Sequence, residues 1–221
     1  MSRPARSNPL ALAVLVCLME APMHPYEIGQ TLKSRAKEES VRLNFGSLYG
    51  VVESLEKRGM IRAKETVRAG RRPERTIYEV TDDGAREATD WLADLLTFPA
   101  KEFPAFMAAL SFLPALTPDE AAMALHRRVS ALELQLMKMR SVGRAAEGAG
   151  LPRLFGIESE YEAHMLEAEL DFVRKLAEEI DTGTLDGIRL WHAFHSDPEE
   201  QAALMAELDF SFPGAPREVP R

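Results

Sequence analysis

Cysteine is almost missing from this chain: Cys17 is the single one in 221 residues. No disulfide can form within one chain, so a disulfide-framed secreted fold is excluded and a reducing, cytoplasmic setting is expected. Cys17 sits in the apolar run Leu10–Leu18, which fits a buried helix position better than a nucleophile. No apolar stretch reaches the length that spans a bilayer, so no membrane partner is expected. The N-terminus carries Arg3 and Arg6 before a short apolar run, but Leu10–Met19 is closed by Glu20 with no clean cleavage site. It reads as a helix and not as a leader. Aromatic residues make up only 7% of the chain. There is no glycine phosphate loop, no Gly-x-Ser-x-Gly elbow and no HExxH pair, so catalysis has little support and no cofactor is expected.

Positive charge is also scarce, since the formal net charge is −8. The deficit is uneven. Residues 1–96 hold 15 Lys and Arg against 14 Asp and Glu, while residues 97–221 hold 12 against 21. Between Lys57 and Arg75 there are eight bases and two acids. Salt screens charges beyond about 8–10 Å, so such a patch can meet phosphates on an acidic protein. The acidic half should limit non-specific binding to nucleic acid.

The basic patch has a recognisable setting. Asn8 caps and Pro9 opens a first helix to about Glu20. A second helix starts near Pro25 and runs to about Arg35. A third, from about Gly46 to Arg58, turns Leu48, Val52 and Leu55 inward and Ser47, Gly50, Ser54 and Lys57 outward. Gly59 stops it. A strand begins near Ile61, and after the basic loop Arg68–Arg75 the chain returns along Thr76–Val80. A short helix followed by a basic hairpin is the layout of a winged helix-turn-helix, in which the helix reads a major groove and the wing contacts phosphates. A fourth helix starts after Thr81 and runs to Leu96.

Beyond residue 96 the chain reads as helical. Thr117-Pro118-Asp119-Glu120 is a strong helix start. Ala122, Leu125, Val129, Leu132, Leu136 and Met139 follow at alternating spacings of three and four, a heptad seam. Val142-Gly143 and Gly148–Pro152 are expected to be loop. A further helix over about 158–180 repeats Leu166, Leu170, Val173, Ala177 and Ile180, and a last one includes Ile188–His195 and continues after Pro198. The expected organisation is mainly α with a small β-hairpin wing: a winged-helix DNA-binding domain at 1–96, a helical dimerisation domain at 97–196, and a terminal helix with a loose tail at 197–221.

The motifs resemble those of the PadR-type transcriptional regulators. His24-Pro25-Tyr26-Glu27-Ile28 is similar to the family's second-helix motif, with Pro25 where glycine is usual. Asn44-Phe45-Gly46-Ser47-Leu48-Tyr49, then Leu55-Glu56 and Gly59-Met60-Ile61, resemble its recognition helix. Gly70-Arg71-Arg72-Pro73, then Ile77–Thr81 and Gly84, resemble its wing and fourth helix, with Glu74 interrupting the bases. The helix Tyr161–Ile180 is similar to the carboxy-terminal helix of longer members. The resemblance implies a homodimer, a double-stranded DNA operator and often a small effector.

Candidate DNA-binding residues are Tyr26, Asn44, Ser47, Tyr49, Gly50, Lys57, Arg71, Arg72 and Arg75. Tyr49 has two readings, a contact through its hydroxyl or packing against the second helix; the resemblance favours contact. Ser47 is either a phosphate contact or a cap. The heptad residues Leu125, Val129, Leu132, Leu136, Leu166, Leu170 and Val173 are expected at a dimer interface. Trp91, Phe98, Phe103 and Phe106 gather near the domain boundary and are candidates for a small aromatic or phenolic effector, against the plainer reading of a hydrophobic joint. Glu160, His164 and Glu167, and His192, His195 and Asp197, have spacings that could bring ligands to one helix face. Without a full ligand set they read as solvated or interface histidines and no metal is assigned. The expected function is sequence-specific transcriptional regulation, most simply repression by a homodimer on a palindromic operator. The competing reading is a winged helix used for protein–protein assembly without sequence-specific DNA binding. The operator, the regulated genes and the effector's identity are not encoded legibly in the chain.

Overall fold

The computed structural model describes residues 8–38, 40–67, 75–196 and 198–207. The chain divides into two compact units, residues 1–102 and 103–221. The sequence suggested a break after residue 96; the fourth helix runs one residue further, to Thr97, and the segment through Glu102 belongs to the first unit.

The first unit is built around α1 (Pro9–Glu20). Asn8 caps it by accepting the Leu10 N–H at 3.1 Å. Leu10, Leu12, Val14, Leu15, Cys17 and Leu18 are all buried, so apolar residues cover most of its circumference. A helix with that distribution must be surrounded, and α1 contacts α2 (Pro25–Ser34), α3 (Phe45–Lys57), β2 (Arg75–Val80) and α4 (Asp82–Thr97). The inward stripe Leu48, Val52 and Leu55 of α3 packs into this core with Ile28 and Leu32 of α2. β1 (Ile61–Val67) pairs antiparallel with β2, from Ile61 opposite Val80 to Val67 opposite Arg75. Met23 adds a short bridge to Tyr78, with both N–H···O bonds at 3.0 Å.

Two residues lock the root of the hairpin. Thr81 caps α4 by accepting the Gly84 N–H at 3.1 Å, and its hydroxyl lies 2.8 Å from the carbonyl of Gly59 and 3.0 Å from that of Met60. A Cβ on Gly84 would stand 2.0 Å from the Met60 carbonyl oxygen, so only glycine permits this approach. Gly59 itself, at φ 71°, takes the left-handed turn that ends α3.

The second unit is helical: α5 (Ala105–Ser111), α6 (Pro118–Gly148), α7 (Ile157–Asp181), α8 (Ile188–Ser196) and α9 (Pro198–Glu207). Thr117 and Glu120 form a capping box at the start of α6. The helix does not stop at Val142-Gly143 as expected. It continues to Gly148, because Arg144, Ala145, Ala146 and Glu147 are good helix formers and one internal glycine costs only about 1 kcal/mol. Leu125, Leu132 and Leu136 of α6 and Leu170, Val173, Ala177 and Ile180 of α7 form one buried cluster with Ile188 and Trp191 of α8. Trp191 Nε1 donates to the Leu116 carbonyl at 2.7 Å, which fixes α8 against the turn before α6.

Candidate nucleic-acid interface

The outer face of α3 and the start of α2 carry the residues expected to meet DNA. Asn44 accepts the Gly46 N–H at 2.8 Å, so its carbonyl caps α3 and its amide nitrogen remains as the donor. Ser47, Tyr49 and Gly50 are exposed on the first turns of α3. The cap is thus Asn44, and the Ser47 hydroxyl has no partner among the described residues. Among the described residues, and apart from its chain neighbours and the backbone of its own helix turn, no atom lies within 4 Å of where a Gly50 Cβ would stand.

Aromatic rings join α2 to α3 on this face. Tyr26 stacks on Phe45 with centroids 5.7 Å apart and planes at 21°. Lys33 Nζ lies 5.1 Å over the same Phe45 ring. His24 meets Tyr49 edge-on at 6.4 Å. The Tyr49 ring thus packs on His24 while the residue stays 47% exposed. His24, Lys33 and Phe45 were not foreseen as site residues. His24 and Phe45 stand in the motifs quoted for α2 and α3 and Lys33 in neither, and only the fold brings the three side by side.

His24 also caps α2. Its Nδ1 accepts the Tyr26 N–H at 3.1 Å and Glu27 reaches back to the His24 N–H at 3.0 Å. Burial, and then the positive charge of Arg75, hold its pKa below the ordinary histidine value, against a smaller opposing effect of Glu27.

The basic patch is smaller than the count between Lys57 and Arg75 suggested. Lys57 pairs with Glu53 at 2.6 Å. Across the strand register Arg62 faces Glu79, which takes Arg62 at 2.8 Å and Lys64 at 3.6 Å. The hydrogen bond from Arg62 is the main reason the Glu79 carboxyl lies below its usual range. Glu79 lies outside the window counted from sequence, and its place became visible only with the pairing register. Arg75 opens β2 and is exposed. Arg71 and Arg72, the expected wing-tip contacts, and Glu74 lie outside the described residues.

The other candidate sites fall differently. Trp91 is buried in the core of the first unit and Phe98 is exposed there. Phe103 and Phe106 belong to the second unit, where Phe103 is exposed and Phe106 lies against the core with the Arg128 guanidinium 3.7 Å from its ring centroid. Trp91 and Phe106 each serve the core of their own unit. The heptad residues need a correction. Leu125, Leu132, Leu136, Leu170 and Val173 are buried, and Val129 and Leu166 partly so, between α6 and α7 of one chain. The seam is buried between α6 and α7 of one chain, so its burial needs no second copy. Among the described residues no group of three or more His, Cys, Asp or Glu could hold a metal ion; Asp197 is outside them.

Residues 14–90 match the model of the Transcriptional regulator PadR-like family. Among solved structures, the chain is similar to Bacillus subtilis PadR in complex with operator DNA, at 19% identity and TM-score 0.63 over 78% of this chain and 99% of that one. It is similar to the same protein in complex with p-coumaric acid, at 18% and 0.62 over 78% and 98%. The Vibrio cholerae virulence activator AphA matches at 14% and 0.60 over 78% and 98%. At these identities the likeness is one of fold. No curated protein matches the chain. The winged helix, its motifs and the match agree: this chain carries, over residues 14–90, a domain of the PadR-like family of transcriptional regulators.

Proposed function

We propose that the protein is a sequence-specific DNA-binding regulator that acts as a homodimer on a palindromic operator and represses transcription. The observation that carries this reading is the face made by Tyr26, Asn44, Ser47, Tyr49 and Gly50, which is polar and exposed, with no other described segment packed over Gly50. Its chemistry suits a groove: an amide donor, a serine hydroxyl and two phenols on rigid rings can meet base edges and phosphates. Arg75 and the wing bases Arg71 and Arg72 supply the sequence-independent part of binding. The operator complex of B. subtilis PadR, a protein of the same fold, supports the reading.

The dimer is assigned to the faces of α6 and α7 that their own packing leaves open. Met123, Leu134, Met137 and Val142 on α6, and Tyr161, Met165 and Phe172 on α7, are all exposed. Large exposed apolar residues on two long helices are the mark of a surface that meets a partner. Two recognition helices about 34 Å apart would then enter successive major grooves. A small aromatic or phenolic effector completes the scheme, supported by the p-coumaric acid complex of B. subtilis PadR.

The test is fluorescence anisotropy of the full chain on DNA from upstream of its own gene, across a salt series, with a reporter assay for the sign of regulation. Saturable, salt-dependent binding that is lost on scrambling one half-site is expected. Binding that ignores sequence, or no binding at low salt, would return the chain to the protein–protein reading.

A further inference from the structure

The buried stripe Leu48, Val52 and Leu55 leaves the opposite side of α3 to Tyr49, Gly50, Glu53 and Lys57. Tyr49, Glu53 and Lys57 follow at intervals of four, with Gly50 between the first two, and all four are exposed. The face turned toward a polyanion therefore carries an acid near its middle. A carboxylate there repels phosphate and takes away from sequence-independent binding.

Glu53 is held charged and open. Lys57 Nζ lies 2.6 Å from Glu53 Oε1, with 72% of the lysine and 65% of the glutamate side chain exposed. That hydrogen bond is the main reason the Glu53 carboxyl lies below its usual range. The ionised group is an acceptor only, and its Oε2 has no hydrogen-bond partner among the described residues. Glu56, the next acid of α3, instead accepts from the Tyr78 hydroxyl at 3.4 Å, on the side of the hairpin.

An acceptor in a major groove discriminates among bases. Cytosine shows a lone donor there, its N4 amino group. Guanine shows two acceptors, thymine an acceptor and a methyl, and adenine an acceptor beside its donor. A carboxylate is drawn to the first and repelled by acceptor edges, which is how a repulsive element creates specificity. The neighbouring ammonium suits the guanine of the same pair, whose O6 and N7 both accept. A carboxylate and an ammonium side by side thus complement a C·G pair.

We propose that Glu53 is a base-reading residue that selects a C·G pair in each half-site, its carboxylate accepting from cytosine N4 while Lys57 serves the guanine. The inference rests on the regulator reading above and adds to it one letter of the sequence that α3 recognises.

The probe is a library of DNA duplexes with a randomised core, from which the full chain and two variants each select their preferred sequences. The parent should enrich a motif with a C·G pair at one fixed position in each half-site. Glu53→Gln should exchange that pair for A·T, because a glutamine amide matches adenine N6 and N7. Glu53→Ala should accept every base there, and the remaining positions should stay as in the parent. On the parent's own motif, Glu53→Ala should bind about tenfold more weakly in anisotropy titrations. Both substitutions fall at an exposed helix position and use good helix formers, so thermal melts should match the parent. A parent motif without a fixed C·G pair, or one that both variants keep unchanged, overturns the role of Glu53 while leaving the regulator reading intact. A library from which the parent enriches no sequence ends the regulator reading itself, and this inference with it.

Discussion

Arg140 of α6 and Glu167 of α7 pair at 2.7 Å, and the same relationship recurs seven residues on: Glu133 with Arg174, then His126 with Asp181. As the number on one helix falls, that on the other rises by the same amount, so the two helices run antiparallel with a shared heptad register. The rungs flank the apolar seam of Leu132, Leu136, Leu170 and Val173. Exposed pairs of this kind contribute little singly, about 0–1 kcal/mol, but they disfavour a shifted register.

Leu132→Glu is expected to unfold the helical unit rather than merely dissociate a dimer. Leu132 is 6% exposed in the seam, and an unpaired buried charge costs about 3–5 kcal/mol. Met137→Glu, on the open face of α6 at 64% exposure, should leave the helices folded and yield monomers. Circular dichroism and light scattering on both variants separate these outcomes. A dimeric, helical Met137→Glu protein would move the interface elsewhere.

Gly50→Ala should raise stability and lower DNA affinity together. Alanine is favoured over glycine in a helix by about 1 kcal/mol, and nothing within 4 Å obstructs the new methyl. The only cost would come from a partner brought close to α3. Thermal melts and operator anisotropy read the two effects. Gly84→Ala is the contrast: it meets the Met60 carbonyl and should be strongly destabilising.

Glu79→Gln should tighten DNA binding. It releases Arg62 and Lys64 from the carboxylate that now holds them. Each cation that then reaches a phosphate steepens the slope of log affinity against log salt by roughly 0.9. An unchanged slope would mean that this region of the wing does not approach the backbone. Arg71→Ala and Arg72→Ala should make the slope shallower by the same step, with base preference intact.

Acid should weaken the fold through His24. Its pKa in the folded chain is depressed, so below the ordinary histidine value the unfolded chain binds the proton first. The contribution is present in full above that value, and is lost as pH falls toward the lower folded value. Protonation also removes the Nδ1 acceptor that caps α2. Urea midpoints at pH 7.5 and 5.5 should differ less in His24→Asn, which keeps a capping side chain without a titrating ring. Equal differences in both proteins would count against this role.

Helix ends were readable in the chain because capping chemistry is local: Asn8, Thr81 and Thr117 all cap where their spacing said they would. The winged helix was readable for the same reason, its glycines and apolar stripes each answering to a short stretch. What stayed hidden depends on meetings between distant segments. Glu79 cancels bases that a sequence window counts as free, and this follows from a strand register. The heptad residues announce burial but not whose helix buries them. Gly143 reads as a break, yet the residues after it carry the helix through. Trp91 looked like one of four neighbouring aromatics, whereas contact with α1 and α3 turns it inward.

The Thr81 hydroxyl gathers three segments at one atom: the end of α3 through Gly59, the start of β1 through Met60, and the first turn of α4 through Gly84. None of these ends can fray alone without stranding a partner of the others. In hydrogen–deuterium exchange the amides of Met60, Thr81 and Gly84 should therefore lose protection at one common rate, as a single opening unit. The recognition helix and the helix that leaves the winged domain would then share one clock for their local unfolding.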